Sequence, residues 1–207
     1  MVGRAIAGKL VAVGHEAKMG SREAGNEKAV AWVAEAGEGA SEGSFADAAS
    51  FGEVVVNATT GAHSLEALEA ASGGNLEGKV LIDIANALDT STQPPTLTVA
   101  NTDSLGEQIQ RAFPGARVVK ALNTMNAAVM VAPDSLGEST NAFICGDDAG
   151  AKAEVTELLE TFGWLSGDII DLGDITAARG MEMYLMLWLG LMGATGTAQF
   201  NIRIVKD

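Results

Sequence analysis

The sequence predicts an α/β fold, a doubly wound and mostly parallel sheet with a short helical carboxyl-terminal part. Short runs of Val, Ile and Leu recur along the 207 residues, and several are apolar at nearly every position, as a strand covered on both faces requires. Segments with helical apolar spacing separate these runs, and strand–helix alternation implies βαβ units. A hydrophobic fraction of 47% with 5% aromatics supplies enough Ala, Val and Leu for one sizeable core.

In chain order, the opening Gly3–Val13 reads as a helix and Ala17–Met19 as a strand closed by Gly20-Ser21-Arg22. Glu27–Ala36 is helical, and Val54–Asn57 is an apolar strand. His63–Ala71 carries Leu65 and Leu68 at i, i+3, and Val80–Ile84 is the next strand. Asn86–Asn101, with Pro94-Pro95 inside, is a loop long enough to be functional. A helix over Asp103–Phe113 starts behind a Thr102/Asp103 cap and stops before Pro114. Val118–Leu122 and Ala142–Cys145 are strands, and Ala149–Phe162 presents Val155, Leu158, Leu159 and Phe162 on one face, behind an Asp147-Asp148 cap. Ile169–Leu172 is the last strand. The helix from about Thr176 is hydrophobic nearly all round and needs cover on more than one side, as a second subunit would give. One compact α/β domain over 1–175 is expected, with 176–207 as a carboxyl-terminal helix and tail that forms a dimer contact.

The net charge of −14 argues against nucleic acid as a partner. The single cysteine, Cys145, excludes an internal disulfide framework, fits a reducing cytoplasm and reads as a small buried residue. The stretch Met183–Asn201 nears the length of a membrane span, but Thr195, Thr197, Gln199 and several glycines make it a buried or dimer-forming helix instead. A soluble, cytoplasmic chain without a signal peptide is expected.

In an open parallel sheet, ligands bind outside the carboxyl ends of the strands. Here those ends read Gly20-Ser21-Arg22, Asn57-Ala58-Thr59-Thr60-Gly61, Ile84-Ala85-Asn86 and Asn123-Thr124-Met125-Asn126. All are small, polar and uncharged except Arg22, which suits a bulky anionic ligand held largely by backbone groups. His15 and His63 fall in a turn and at a helix start, where a surface or capping role is expected. No His/Cys/Glu cluster has metal-ligand spacing, and no Ser elbow or Cys-His pair points to nucleophilic catalysis. Arg179 and Glu182, at i, i+3 on the last helix, read as a helix pair.

The opening carries the sharpest signal. A dinucleotide fingerprint is a strand, Gly-x-Gly-x-x-Gly and then a helix whose amino end faces the pyrophosphate. With Gly3 as the third glycine, Met1 and Val2 are the intervening residues, and the strand and first two glycines are expected ahead of residue 1. About 20 residues on, where an acid would hold a ribose 2′-hydroxyl, stand Ser21 and Arg22, a hydroxyl and a guanidinium suited to a 2′-phosphate. The competing reading of Arg22 is a solvated surface charge. Lys28 is a weaker phosphate ligand, equally readable as part of a solvated helix face.

The segments VGRAIAGKLVAVGHEAKMGSR, VVVNATTG, VLIDIANAL, VVKALNTMNA, FICGDD and DLGDITAARGMEM follow in the order seen in NADPH-dependent deazaflavin (coenzyme F-420) reductases, which the chain resembles over its whole length. It also resembles the cytoplasmic domain of STEAP-type ferric reductases around VVKALN and DLGDITAARGME. The resemblance implies a Rossmann-type NADP-binding domain, commonly dimeric. It places Met1, Val2 and Gly3 at the pyrophosphate and Ser21 and Arg22 on the 2′-phosphate. Ala58 and Thr59 would run along the adenosine-to-diphosphate stretch, and Asn123, Thr124, Met125, Asn126 and Ala127 would flank the nicotinamide. It implies direct hydride transfer between nicotinamide and a flavin or deazaflavin acceptor, coenzyme F-420 among them, with no catalytic acid from the protein. Asn123 and Asn126 depart from the histidine and proline of the best-known deazaflavin reductases. Two alternatives stand beside this reading: an NADP-dependent reductase of a small carbonyl or imine substrate, and a non-enzymatic NADP-binding sensor.

Overall fold

The computed structural model describes residues 2–71 and 73–206. The chain opens with α1 (Val2–Ala12), β1 (Ala17–Ser21), α2 (Glu27–Ala36), β2 (Ala40–Ser44), α3 (Phe45–Phe51) and β3 (Val54–Asn57). It continues through α4 (Ser64–Ala70), β4 (Val80–Asp83), the short strands β5 (Leu88–Asp89) and β6 (Thr96–Leu97), and α5 (Leu105–Ala112). The last part runs through β7 (Arg117–Ala121), α6 (Ala127–Val131), β8 (Ala142–Cys145), α7 (Ala149–Phe162), β9 (Ile169–Asp171) and α8 (Ala178–Thr195).

The sheet is mostly parallel, as expected, but it is divided. β3-β4-β7-β8-β9 form one sheet and β1-β2 a separate parallel pair. Within the larger sheet β3, β4 and β7 are parallel, β8 is antiparallel to β7, and β9 is parallel to β8. The third sheet is the antiparallel pair β5-β6, in the loop that reads as irregular from its prolines.

Alternation along the central strands builds two cores on opposite faces. Val80, Ile82, Val119, Ala121 and Ile144 pack with Ile6 of α1, Val129 of α6 and Val155 and Leu159 of α7. Leu81, Val118 and Cys145 point the other way, toward Ala49 of α3, Leu68 of α4, Ile109 of α5 and Met181 of α8. Cys145 is fully buried, and burial pushes its thiol up to about 12, so it is neutral and inert at physiological pH.

Local signals set the helix ends. Asn26 caps α2, and Asp148 caps α7 by accepting from Ala151 N at 2.6 Å. The cap of α5 is Ser104, which accepts from Glu107 N at 3.1 Å; Thr102/Asp103 lie ahead of it, and Asp103 instead holds Arg111. Gly196, at φ 71°, ends α8 in the left-handed conformation. Beyond it the tail folds back over the domain: Trp188 and Phe200 stack at 5.4 Å, and Asn141 N donates to Ile202 O at 2.9 Å. Among the described residues, no helix is long and apolar enough to cross a membrane. Only Ala178, Met181 and Glu182 of α8 are buried, and Leu187 is 59% exposed, so much of this helix lacks the cover that its composition calls for.

Candidate functional site

The carboxyl ends of β1 and β3 meet at a cavity of about 340 Å³ lined by Arg22, Phe45, Thr59, Thr60, His63 and Glu66, among others. Arg22 follows β1 directly. Arg4, Arg111, Arg117, Arg179 and Arg203 each lie within 4.0 Å of a carboxylate, so among the described residues Arg22 is the one arginine of six without an acidic partner. An unpaired guanidinium at the mouth of a cavity is free to take an anion in its fork of donors. Ser21 closes β1, and its hydroxyl lies 2.6 Å from Glu23 O. Lys28 lines the neighbouring gap between β1 and β3.

Val2 and Gly3 form the first turn of α1, which holds no acidic residue. A Cβ on Gly3 would lie 3.4 Å from Ala58 Cβ, so the amino end of α1 rests against the segment that leaves β3. Met1 lies outside the described residues. Beyond Ala58, the Thr59 hydroxyl reaches Asn57 Oδ1 at 2.7 Å and Ser64 Oγ at 3.0 Å. Asn57 in turn donates to Asp83 Oδ1 at 2.8 Å, tying the ends of β3 and β4 together. Gly61 is closely packed against backbone: a Cβ there would lie 2.1 Å from Asn86 O and 2.7 Å from Ala87 N.

At the end of β7, Leu122 adopts φ 58°, in a region unfavourable for a branched side chain. The turn aims Asn123 at Asn86, with Asn123 Nδ2 donating to Asn86 Oδ1 at 2.9 Å and to Met181 O at 3.0 Å. Asn123 Oδ1 and Thr124 Oγ1 are buried with no partner among the described residues. Met125 is buried in the first core, and Ala127 opens α6. Asn126 caps α6 through Ala128 N at 2.8 Å and also donates to Ala198 O and Gln199 Oε1 in the tail. The residues after β7 thus share one network with α8 and the tail.

Behind these strand ends lies a buried charge cluster. Lys120 Nζ stands 2.7 Å from Asp83 Oδ2, 2.9 Å from Glu182 Oε1 and 2.5 Å from Ala85 O, with all three charged side chains almost fully enclosed. Glu182 also accepts from Leu105 N at 2.9 Å and Gly106 N at 3.0 Å, at the positive amino end of α5. Burial alone would lower the Lys120 pKa, but the two carboxylates together outweigh it and raise the value. The expected Arg179–Glu182 helix pair does not form. Arg179 pairs with Glu107, donating from Nε to Oε2 at 2.8 Å, and this contact holds the Glu107 carboxyl below its ordinary range.

Known proteins resemble this chain. The family described as NADP oxidoreductase, coenzyme F420-dependent, matches residues 1–87. The crystal structure of a candidate F420-dependent NADP-reductase from Arthrobacter sp. FB24 is 51% identical, with TM-score 0.93 over 99% of this chain and 95% of that one. The chain belongs to this family. The chain is also 30% identical over 107 residues to Metalloreductase STEAP3 of Rattus norvegicus, and it spans 20% of the length of that curated relative. A hypothetical protein, SMa0349, from Sinorhizobium meliloti has the same fold at TM-score 0.75 and 24% identity, covering 100% of this chain and 91% of that one. A reductive aminase from Aspergillus terreus, in complex with NADPH, has the fold at TM-score 0.65 and 20% identity, covering 94% of this chain and 59% of that one.

Thr60, of the strand end expected to face a ligand, lines the cavity with Arg22, and so does His63, for which a capping role is expected from the sequence; Glu66, 44 positions from Arg22 in the chain, escapes a reading of the sequence. Lys120 had a visible signal: a lone lysine inside the apolar run Val118–Leu122 must be buried with a counter-charge.

Proposed function

We propose that this member of the F420-dependent family binds NADP(H) across the carboxyl ends of β1, β3 and β7. It would transfer hydride between the nicotinamide and a flavin or deazaflavin acceptor such as coenzyme F-420. The observation that carries the reading is Arg22, the unpaired arginine at the cavity that β1 and β3 share. A ribose 2′-phosphate supplies the dianion that this guanidinium lacks, with Ser21 beside it as a hydroxyl donor.

The remaining site residues fit the rest of the dinucleotide. The amino end of α1, at Val2 and Gly3, offers free N–H groups to a diphosphate, and the absence of an acid in its first turn suits an anion there. Ala58 and Thr59 would flank the adenosine side, with the Thr59 hydroxyl and N–H both held by Asn57 Oδ1. Asn123 Oδ1 and Thr124 Oγ1, buried without partners, are suited to an amide, which the nicotinamide carries. Bound there, the nicotinamide would supply the hydride. The chain's own work is to orient the ring through Asn123–Ala127 and to keep water from it. The uncovered face of α8, with Leu187 exposed, supports a homodimer in which a second copy covers it.

The test is a titration of wild type and Arg22→Ala with NADPH and NADH, followed by turnover with deazaflavin and flavin acceptors. Arg22→Ala is expected to weaken NADPH ten-fold or more, about 1.4 kcal/mol or above, and to leave NADH nearly unchanged. Equal losses for both nucleotides would overturn the 2′-phosphate assignment. Tight NADPH binding without oxidation by either acceptor would overturn the acceptor.

A further inference from the structure

His63 and Glu66 line the same cavity as Arg22, and both come from the segment that follows β3. His63 stands just ahead of α4 but makes no capping hydrogen bond to it. Its ring meets a carboxylate instead: His63 Nδ1 lies 3.5 Å from Oε2 of Glu66, on the first turn of α4. Both side chains are more than half exposed, at 58% and 67%, so each has room to turn toward a ligand. Among the described residues, every other side chain that lines the cavity is uncharged.

Charge decides what such a lining can hold. Arg22 contributes a positive charge and Glu66 a negative one, so with a neutral imidazole the lining is balanced. Histidine is the side chain whose charge ordinarily changes between about pH 5 and 8. With the ring protonated, Glu66 is neutralised in place and the lining turns net positive. Neighbouring elements add carboxylates outside the lining. β5 packs against the Gly61–His63 turn and carries Asp89, which accepts from Ser91 N at 2.8 Å and favours a protonated ring. Asp47 of α3 is closed in a capping box with Ser44, and Glu69 of α4 lies outside the cavity.

We propose that His63 is a specificity-determining residue of this cavity, a proton-gated second cation for the phosphate that Arg22 holds. Glu66 is its counterpart: it favours the protonated ring, and its carboxylate repels the phosphate once the ring is neutral. The inference rests on the NADP(H) reading of the cavity. A dinucleotide with a 2′-phosphate then binds more tightly as the ring takes a proton from solvent, and by linkage its arrival draws that proton on. NADH lacks the phosphate and is indifferent to the change. Discrimination between the two nucleotides therefore varies with pH, although Arg22 itself is charged throughout.

The test measures Kd for NADPH and NADH at about pH 6.5 and 8.5 in wild type, His63→Asn and Glu66→Gln. Neither substitution empties the core, since both side chains are exposed. Wild type is expected to lose about three-fold or more in NADPH affinity from the lower pH to the higher, with NADH unchanged. His63→Asn is expected to flatten that profile, and Glu66→Gln to bind NADPH about three-fold tighter than wild type at the higher pH. A phosphate monoester takes up its own second proton near pH 6, but wild type and His63→Asn share that effect, so the difference between them belongs to the ring. Parallel profiles for these two proteins, or an NADH profile as steep as the NADPH one, would overturn the proposal. An NADPH preference that is equal at both pH values sinks this inference alone, whereas no preference at either pH sinks the NADP(H) reading beneath it.

Discussion

Replacing Lys120 with methionine is expected to cost about 3–5 kcal/mol of folding stability, because it leaves two enclosed carboxylates without their cation. Methionine reproduces the length of the lysine stem, so the loss reports charge rather than volume. Asp83 keeps Asn57 Nδ2 and Ala85 N as donors, and Glu182 keeps the α5 amides, which together fall short of a full counter-charge. For a chain of this size the fall in Tm is roughly 10 °C. Since the folded pKa of Lys120 is raised, its stabilisation is fully present below the ordinary value of 10.5 and fades only as pH climbs past the folded value. Wild type and variant unfolded in urea at pH 7 settle the matter, and a difference under about 1 kcal/mol would show that the cluster is not the bond it looks like.

Gly61→Ala is expected to cost about 3 kcal/mol and to weaken dinucleotide binding with it. The added methyl would overlap Asn86 O at 2.1 Å, and the obstacle is backbone, so no side chain can swing aside. The loop after β4 has to retreat from β3, which pulls Asn86 away from Asn123. Gly167→Ala is the control, since a Cβ there meets nothing within 4 Å. Thermal unfolding and NADPH titration of both variants distinguish the cases; a Gly61→Ala protein as stable as the Gly167→Ala one would show that the contact yields freely.

The elements that were legible in the sequence are those whose own residues declare them. Val54–Asn57, Ala142–Cys145, Glu27–Ala36 and Ala149–Phe162 fall at their expected ends, because an uninterrupted apolar run or a capped amphipathic stretch specifies each. β2 was not legible. Its residues, Ala-Ser-Glu-Gly-Ser, have no apolar run, and the strand forms because β1 offers a ladder. The short α3 and α6 follow capping residues, Ser44 and Asn126, within stretches too brief for periodicity to show. Site residues divide in the same way. Arg22 stands out by its spacing from Gly3, whereas Arg179 and Glu182 looked like partners because they are neighbours, and their true partners, Glu107 and Lys120, come from other elements.

The isolation of Arg22 also shapes how fast a ligand arrives. The chain carries a net charge of −14, so at a distance it repels any anion, and the guanidinium attracts only within a Debye length, about 10 Å at 0.1 M salt. A phosphorylated dinucleotide approaches uphill and is held only once it reaches the mouth of the cavity. Added salt then flattens the approach while loosening the grip, so the quickest capture and the firmest hold fall at different ionic strengths.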